Sequence, residues 1–94
     1  MSRPVRRSPR ELTRSWPDVP AVDQPGEVAR RFAENLRKAM DGRSHRATAE
    51  LTGVNYSTIQ SILSGRAWPD LYTIAKLEAG LGTPLWPGLL RSDE

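Results

Sequence analysis

Between Val28 and Met40 an apolar residue returns at every fourth position (Val28, Phe32, Leu36, Met40), while Arg30, Arg31, Glu34, Arg37 and Lys38 occupy the other side. A return of this period keeps one stripe of an α-helix apolar, and it predicts a helix over Glu27–Met40 with that stripe in a core. Gly42 stands where this helix should stop, and Ser44 is placed to cap a second, Ser44–Thr52. A third is predicted over Tyr56–Ser64, where Ile59, Ile62 and Leu63 recur at helical spacing and turn inward. Asp70 caps a fourth that carries Leu71, Ile74, Leu77 and Leu81. Pro84 opens a short fifth through Leu90, interrupted at Pro87-Gly88. The expected class is all-α: a compact domain of four to five helices over residues 27–94.

Residues 1–26 depart from this pattern. They hold five of the eight prolines together with Arg3, Arg6, Arg7, Arg10 and Arg14. Such a segment cannot hold a long helix and has too few apolar groups to offset the entropy of ordering it, so a flexible basic arm is expected.

The most informative stretch is His45–Gly65. Ala49 is small and lies one turn before Gly53, which can take the left-handed backbone that ends a helix. Val54 plugs the turn with an apolar side chain, and Asn55 can cap the helix that follows. This is the pattern of two short helices packed closely about a tight turn. With Ile59, Ile62 and Leu63 facing the core, Tyr56, Ser57, Gln60 and Ser61 are left on the outward face. All four carry hydrogen-bonding groups of the kind that read base edges.

On these residues the chain resembles the Cro and lambda-repressor-like (Xre-type) helix-turn-helix DNA-binding proteins. The resemblance runs from about Val28 to Leu85 and is sharpest at Ala49, Gly53-Val54, Ile59, Ile62, Gly65, Pro69, Ile74 and Leu81-Gly82. Trp68-Pro69-Asp70-Leu71 looks like actinobacterial members in particular. The resemblance implies a lambda-repressor-like fold and a sequence-specific regulator of transcription, a repressor, that binds double-stranded DNA. In that fold the second helix crosses the DNA backbone and the third, Tyr56–Ser64, enters the major groove. The implied base contacts are Tyr56, Ser57, Gln60 and Ser61, of which two or three should touch bases. Gln60 suits adenine, Tyr56 a thymine methyl or a phosphate, and the serines either base. Phosphate contacts are expected from Arg43, Ser44, His45 and Arg46 at the amino end of the second helix, and from Asn55 and Arg66. The family often has a Gln where His45 stands. It usually has a large apolar residue where Thr48 stands, often another where Thr52 stands, and often a Glu, paired with an Arg of the first helix, where this chain has Leu63.

Composition narrows the alternatives. The chain has 94 residues and no Cys, which excludes disulfides and thiolate metal sites. His45 is the only histidine and has no cluster of acids or thiols at ligand spacing, so it reads as a surface or phosphate contact and no metal is expected. No nucleophile, base and orienting group can be assembled from motif spacing, and no phosphate-cradling glycine loop follows a strand. An enzyme and a cofactor are therefore not expected. No apolar run approaches the ~20 residues of a membrane span, and the basic start lacks the apolar stretch of a signal peptide, which points to the cytoplasm. The net charge of +3 permits nucleic acid without requiring it.

Two readings stay open for the arm: one that follows phosphates or enters the minor groove, and a solvated leader whose Trp16 rests on the domain. Leu85, Trp86, Leu89 and Leu90 are many apolar groups for a terminal segment. Together they suggest a homodimer on DNA. The alternative function is an antitoxin or other protein-binding module, in which the arm or this segment wraps a partner.

Overall fold

The computed structural model describes residues 6–90. Four α-helices follow in order: α1 (Gln24–Met40), α2 (His45–Thr52), α3 (Tyr56–Leu63) and α4 (Leu71–Leu81), with a 3-10 turn at Pro9–Leu12 before them. No strand occurs among the described residues, as the all-α expectation requires. None of these helices is long and apolar enough to cross a membrane.

Each helix begins on a side chain that accepts a first-turn amide, because those amides have no partner inside the helix. Asp23 accepts from Gly26 at 2.9 Å, Ser44 from Ala47 at 3.0 Å, Asn55 from Ser57 at 2.8 Å and Asp70 from Thr73 at 2.8 Å. The cap at Asp23 starts α1 three residues before Glu27. Pro25 falls in its first turn, where a missing N–H costs nothing. Gly53 and Gly82 end α2 and α4 in the left-handed conformation, at φ 77° and 68°.

The helices enclose one core, in which Phe32, Leu36, Ile59, Leu77 and Leu85 are sealed from solvent. Ile62, Leu63, Met40, Val54 and Ile74 complete it. Val28 lies at its edge, half-buried. Leu71 was expected inside and is 84% exposed. A helical side chain leans over the turn before it, and Leu71, as the first residue of α4, has no such turn.

α2 meets α4 at very short range. A Cβ on Gly80 would lie 2.6 Å from the Thr52 Cα. The threonines that permit this are buried, and their hydroxyls are satisfied by their own helix: Thr48 donates to the Ser44 carbonyl at 2.9 Å and Thr52 to that of Thr48 at 2.8 Å.

The expected fifth helix does not form. The Glu78 carboxylate accepts the amides of Leu85 and Trp86, at 2.8 and 3.0 Å, which also holds its pKa below the usual value. Asn35 donates to the Leu85 carbonyl, and Gln24 to that of Leu90. The bond from Asn35 takes the Leu85 carbonyl, which a helix would have given to the Leu89 amide, and with the bond from Gln24 it ties the segment to α1. Gly88, with φ +79°, adds a left-handed turn within it.

The expected flexible arm differs most. From Arg7 onward it is a strap laid on the helices; residues 1–5 lie outside the described part. Its backbone and Trp16 exchange hydrogen bonds with α3, the α3–α4 loop and α1. Arg30 donates to the Pro17 carbonyl, and Ala21 donates to Glu27. Contacts of this kind, long-range and to backbone groups, offset the ordering cost that composition alone made prohibitive.

Glu27 is the hub of that junction. It is buried and accepts from Arg30 through both oxygens at 2.8 and 2.7 Å, from Arg31 at 3.0 Å and from the Ala21 amide at 2.8 Å. The Arg30 bonds first, with the other two, pull its pKa from 4.5 down to about 2 against the opposing effect of burial. The stability this carboxylate contributes is present in full above pH 4.5 and is lost as pH falls toward 2.

Glu27→Gln should lower unfolding free energy by roughly 3 kcal/mol at pH 7, by leaving Arg30 buried and under-paired. Urea titrations should show the gap to the parent closing between pH 4.5 and 2; a gap constant across that range would remove the carboxylate from this role. Gly80→Ala should destabilise by about 1–3 kcal/mol in the same assay, although alanine favours helix, because Thr52 backbone blocks the new methyl.

Candidate nucleic-acid interface

α3 buries Ile59, Ile62 and Leu63 and turns Tyr56, Ser57 and Gln60 to solvent. Ser61, the fourth residue expected on that face, is only half-exposed. Ser57 is partly engaged, since its hydroxyl donates to the Asn55 side chain at 2.6 Å and keeps only acceptor capacity. Asn55 spends its side-chain oxygen on the cap and retains its amide protons for another partner.

Gln60 looks into an open groove of about 610 Å³ between the end of α1, the α1–α2 turn and α3. Arg37, Arg43, Ser44, His45 and Arg66 stand around it, with Met40 and Leu63 as apolar floor. Four of the six residues expected to hold phosphate are therefore on one rim. The amino end of α2 opens at the same place, adding the partial positive charge of its free amides. Ser44 uses an oxygen lone pair for the cap and keeps its proton to donate.

Arg46 points elsewhere. Its guanidinium lies 5.8 Å from the Tyr56 ring centre, and the centre of the tilted His45 ring lies 6.0 Å from it. Tyr56 is thus steadied by two residues of α2. At the far end of α3, Arg66 donates from Nε to the Ser64 hydroxyl at 3.0 Å, and its amide bonds the Ser61 carbonyl at 2.9 Å. The structure accordingly gathers Arg43, Ser44, His45, Gln60 and Arg66 in one groove, places Tyr56 and Arg46 together beside α2, and leaves Ser57 and Asn55 at the start of α3.

Arg37 is exposed, as its place on the solvent side of α1 implied, and it also lines the groove. It lies three residues before Met40, which is one turn away on the same face, and Met40 forms part of the groove floor.

A helix-turn-helix family model, of the Cro/C1 type, matches residues 34–85, more than half of the chain and every residue placed at this groove. No curated protein and no solved structure matches the chain.

Asn55→Ala should cost about 1 kcal/mol in unfolding free energy, and Asn55→Asp almost nothing, because Asp keeps the capping oxygen. Denaturant titration of the pair checks this; equal losses would mean that the cap does not stabilise α3.

Proposed function

The chain belongs to the Cro/C1-type helix-turn-helix family of DNA-binding regulators, and from that premise we propose that it is a transcriptional repressor that reads the major groove with α3. The observation that carries this reading is the single groove in which Gln60 is ringed by Arg37, Arg43, His45 and Arg66. Charged groups that hold phosphate fix a protein's register on a duplex, and a polar side chain between them can then reach base edges. Gln60, Tyr56, Ser57 and Ser61 are the proposed base readers. Arg43, Ser44, His45, Arg46, Asn55 and Arg66, joined now by Arg37, are the proposed phosphate holders. Tyr56, with His45 and Arg46 beside its ring, has less freedom to lose on binding than a side chain without neighbours, which favours it as a contact. Two copies on a palindrome, in the cytoplasm, complete the reading.

A second reading rests on a different surface. Trp86 and Leu89 are 54% and 78% exposed beside an apolar groove of about 620 Å³ that includes Val28, Phe32 and Trp68. An exposed apolar surface of this kind suits a protein partner, as an antitoxin would need.

Selection from a random duplex library, followed by titration of the winner and a scrambled duplex at two salt concentrations, separates the two. A palindromic winner binding two chains ~10³-fold better than the scramble is expected. On it Gln60→Ala should cost roughly 1–3 kcal/mol and relax the sequence preference. Arg43→Ala or Arg66→Ala should weaken both duplexes alike and flatten the salt dependence. A Gln60→Ala chain with unchanged affinity and preference would take α3 out of the groove, and no enriched sequence at all would favour the protein-partner reading.

A further inference from the structure

α3 ends at Leu63, and the last carbonyls of any helix lack partners within it. Those of Gln60, Ser61 and Ile62 are met by amides of Ser64, Arg66 and Gly65. The next ones are met from outside. Trp16 Nε1 donates to the Leu63 carbonyl at 2.9 Å, and the Arg10 amide donates to that of Gly65 at 2.8 Å. Both donors belong to the strap, about fifty residues earlier in the chain.

The fit is close as well as bonded. Gly65 is buried, with φ +76°, and a Cβ there would lie 2.6 Å from the Trp16 ring and 2.7 Å from the Arg10 Cβ. The strap is fixed on both sides of this contact. Toward its start, Trp68 Nε1 donates to the Arg7 carbonyl at 2.8 Å; toward its end, Arg30 holds the Pro17 carbonyl at 3.1 Å. Gly65 stands between Ser64 and Arg66, both of which line the basic groove. Whatever holds Gly65 therefore holds one wall of that groove.

We propose that Trp16 is a positioning residue for DNA recognition: through its bond to Leu63 and its contact on Gly65 it fixes the carboxyl end of α3 and the Ser64–Arg66 wall, without itself touching DNA. The inference rests on the reading of α3 as the recognition helix. It gives the basic amino-terminal segment a task other than following phosphates. A wall already in place is not ordered at the expense of binding energy, so the gain falls on the cognate site, where the fit of α3 to base edges matters. Nonspecific attraction depends on charge and is left as it is.

The test has one arm without DNA and one with it, on the full chain carrying Trp16→Phe, which keeps a ring and loses the N–H donor, or Trp16→Ala. Hydrogen exchange of the free protein should show the Gly65, Arg66 and Ala67 amides losing about tenfold protection in Trp16→Ala, and less in Trp16→Phe, with α1 and α4 amides unchanged. Unchanged exchange at these amides, or an equal loss in every helix, would overturn the proposal. On DNA, Trp16→Ala should bind the selected duplex about fivefold to tenfold more weakly, with affinity for a scrambled duplex and the salt slope as in the parent. An equal loss on both duplexes with a shallower slope would overturn it in favour of direct phosphate contact by the strap. If the parent selects no sequence, it is the recognition reading that fails, and the exchange arm still decides whether Trp16 fixes α3.

Discussion

An eight-residue helix does not hold itself together in water, because nucleation costs more than so few hydrogen bonds return. α2 and α3 are both of that length, so the surface they present exists only through what is packed and capped around them. For α3 the requirement is met on every side. Asn55 closes its start, Ile59 and Ile62 are sealed in the core with Leu36 and Leu77, and bonds from the strap close its end. The exposure of Tyr56, Ser57 and Gln60 is the remainder of that arrangement, since the only face α3 can spare is the one its burial leaves over.

The same economy governs the contact between α2 and α4. The family resemblance implies large apolar side chains at Thr48 and Thr52, and a buried hydroxyl without a partner would be costly. Here each hydroxyl bonds the carbonyl one turn back, and Thr52 also accepts the Val54 amide at 3.2 Å, so the pair adds no unsatisfied group. The volume they lack is recovered by distance, since Gly80 lets α4 close onto the Thr52 backbone. Thr52 and Gly80, far apart in the sequence, form one fitted contact.

Features that depend on a residue's immediate neighbours were legible in the sequence. Ser44, Asn55 and Asp70 are caps because the residue before a helix must accept an amide, and Gly53 ends α2 because only glycine takes that backbone without strain. The inward Ile59, Ile62 and Leu63 follow from spacing alone. The strap was not legible, because its anchors pair Trp16 and Arg10 with backbone carbonyls distant in sequence, and backbone carbonyls leave no mark on a sequence pattern. The fifth helix failed for a related reason. The Asn35 side chain takes the Leu85 carbonyl that a helix would have given to the Leu89 amide, a competitor that lies in another element and is invisible to a local reading. A turn-by-turn count of α1 places Arg37 on the wet face correctly, but not at the groove, because it does not say which neighbour stands opposite.

The charge distribution follows the same logic. A surplus of three cations is a weak signal, but the acids are not spread evenly among them. Glu27 and Glu34 pair with Arg30 and Arg31 in α1. Asp23 and Asp70 are caps, Glu11 accepts from Ser8, and Glu78 holds the chain after α4. Six carboxylates are thereby occupied by the fold itself. Among the described residues, Arg37, Arg43, Arg46 and Arg66 form no ion pair, and three of these four line one groove. Three unpaired arginines at one groove give it a local concentration of positive charge, the sign that phosphate requires, which a nearly balanced composition does not reveal.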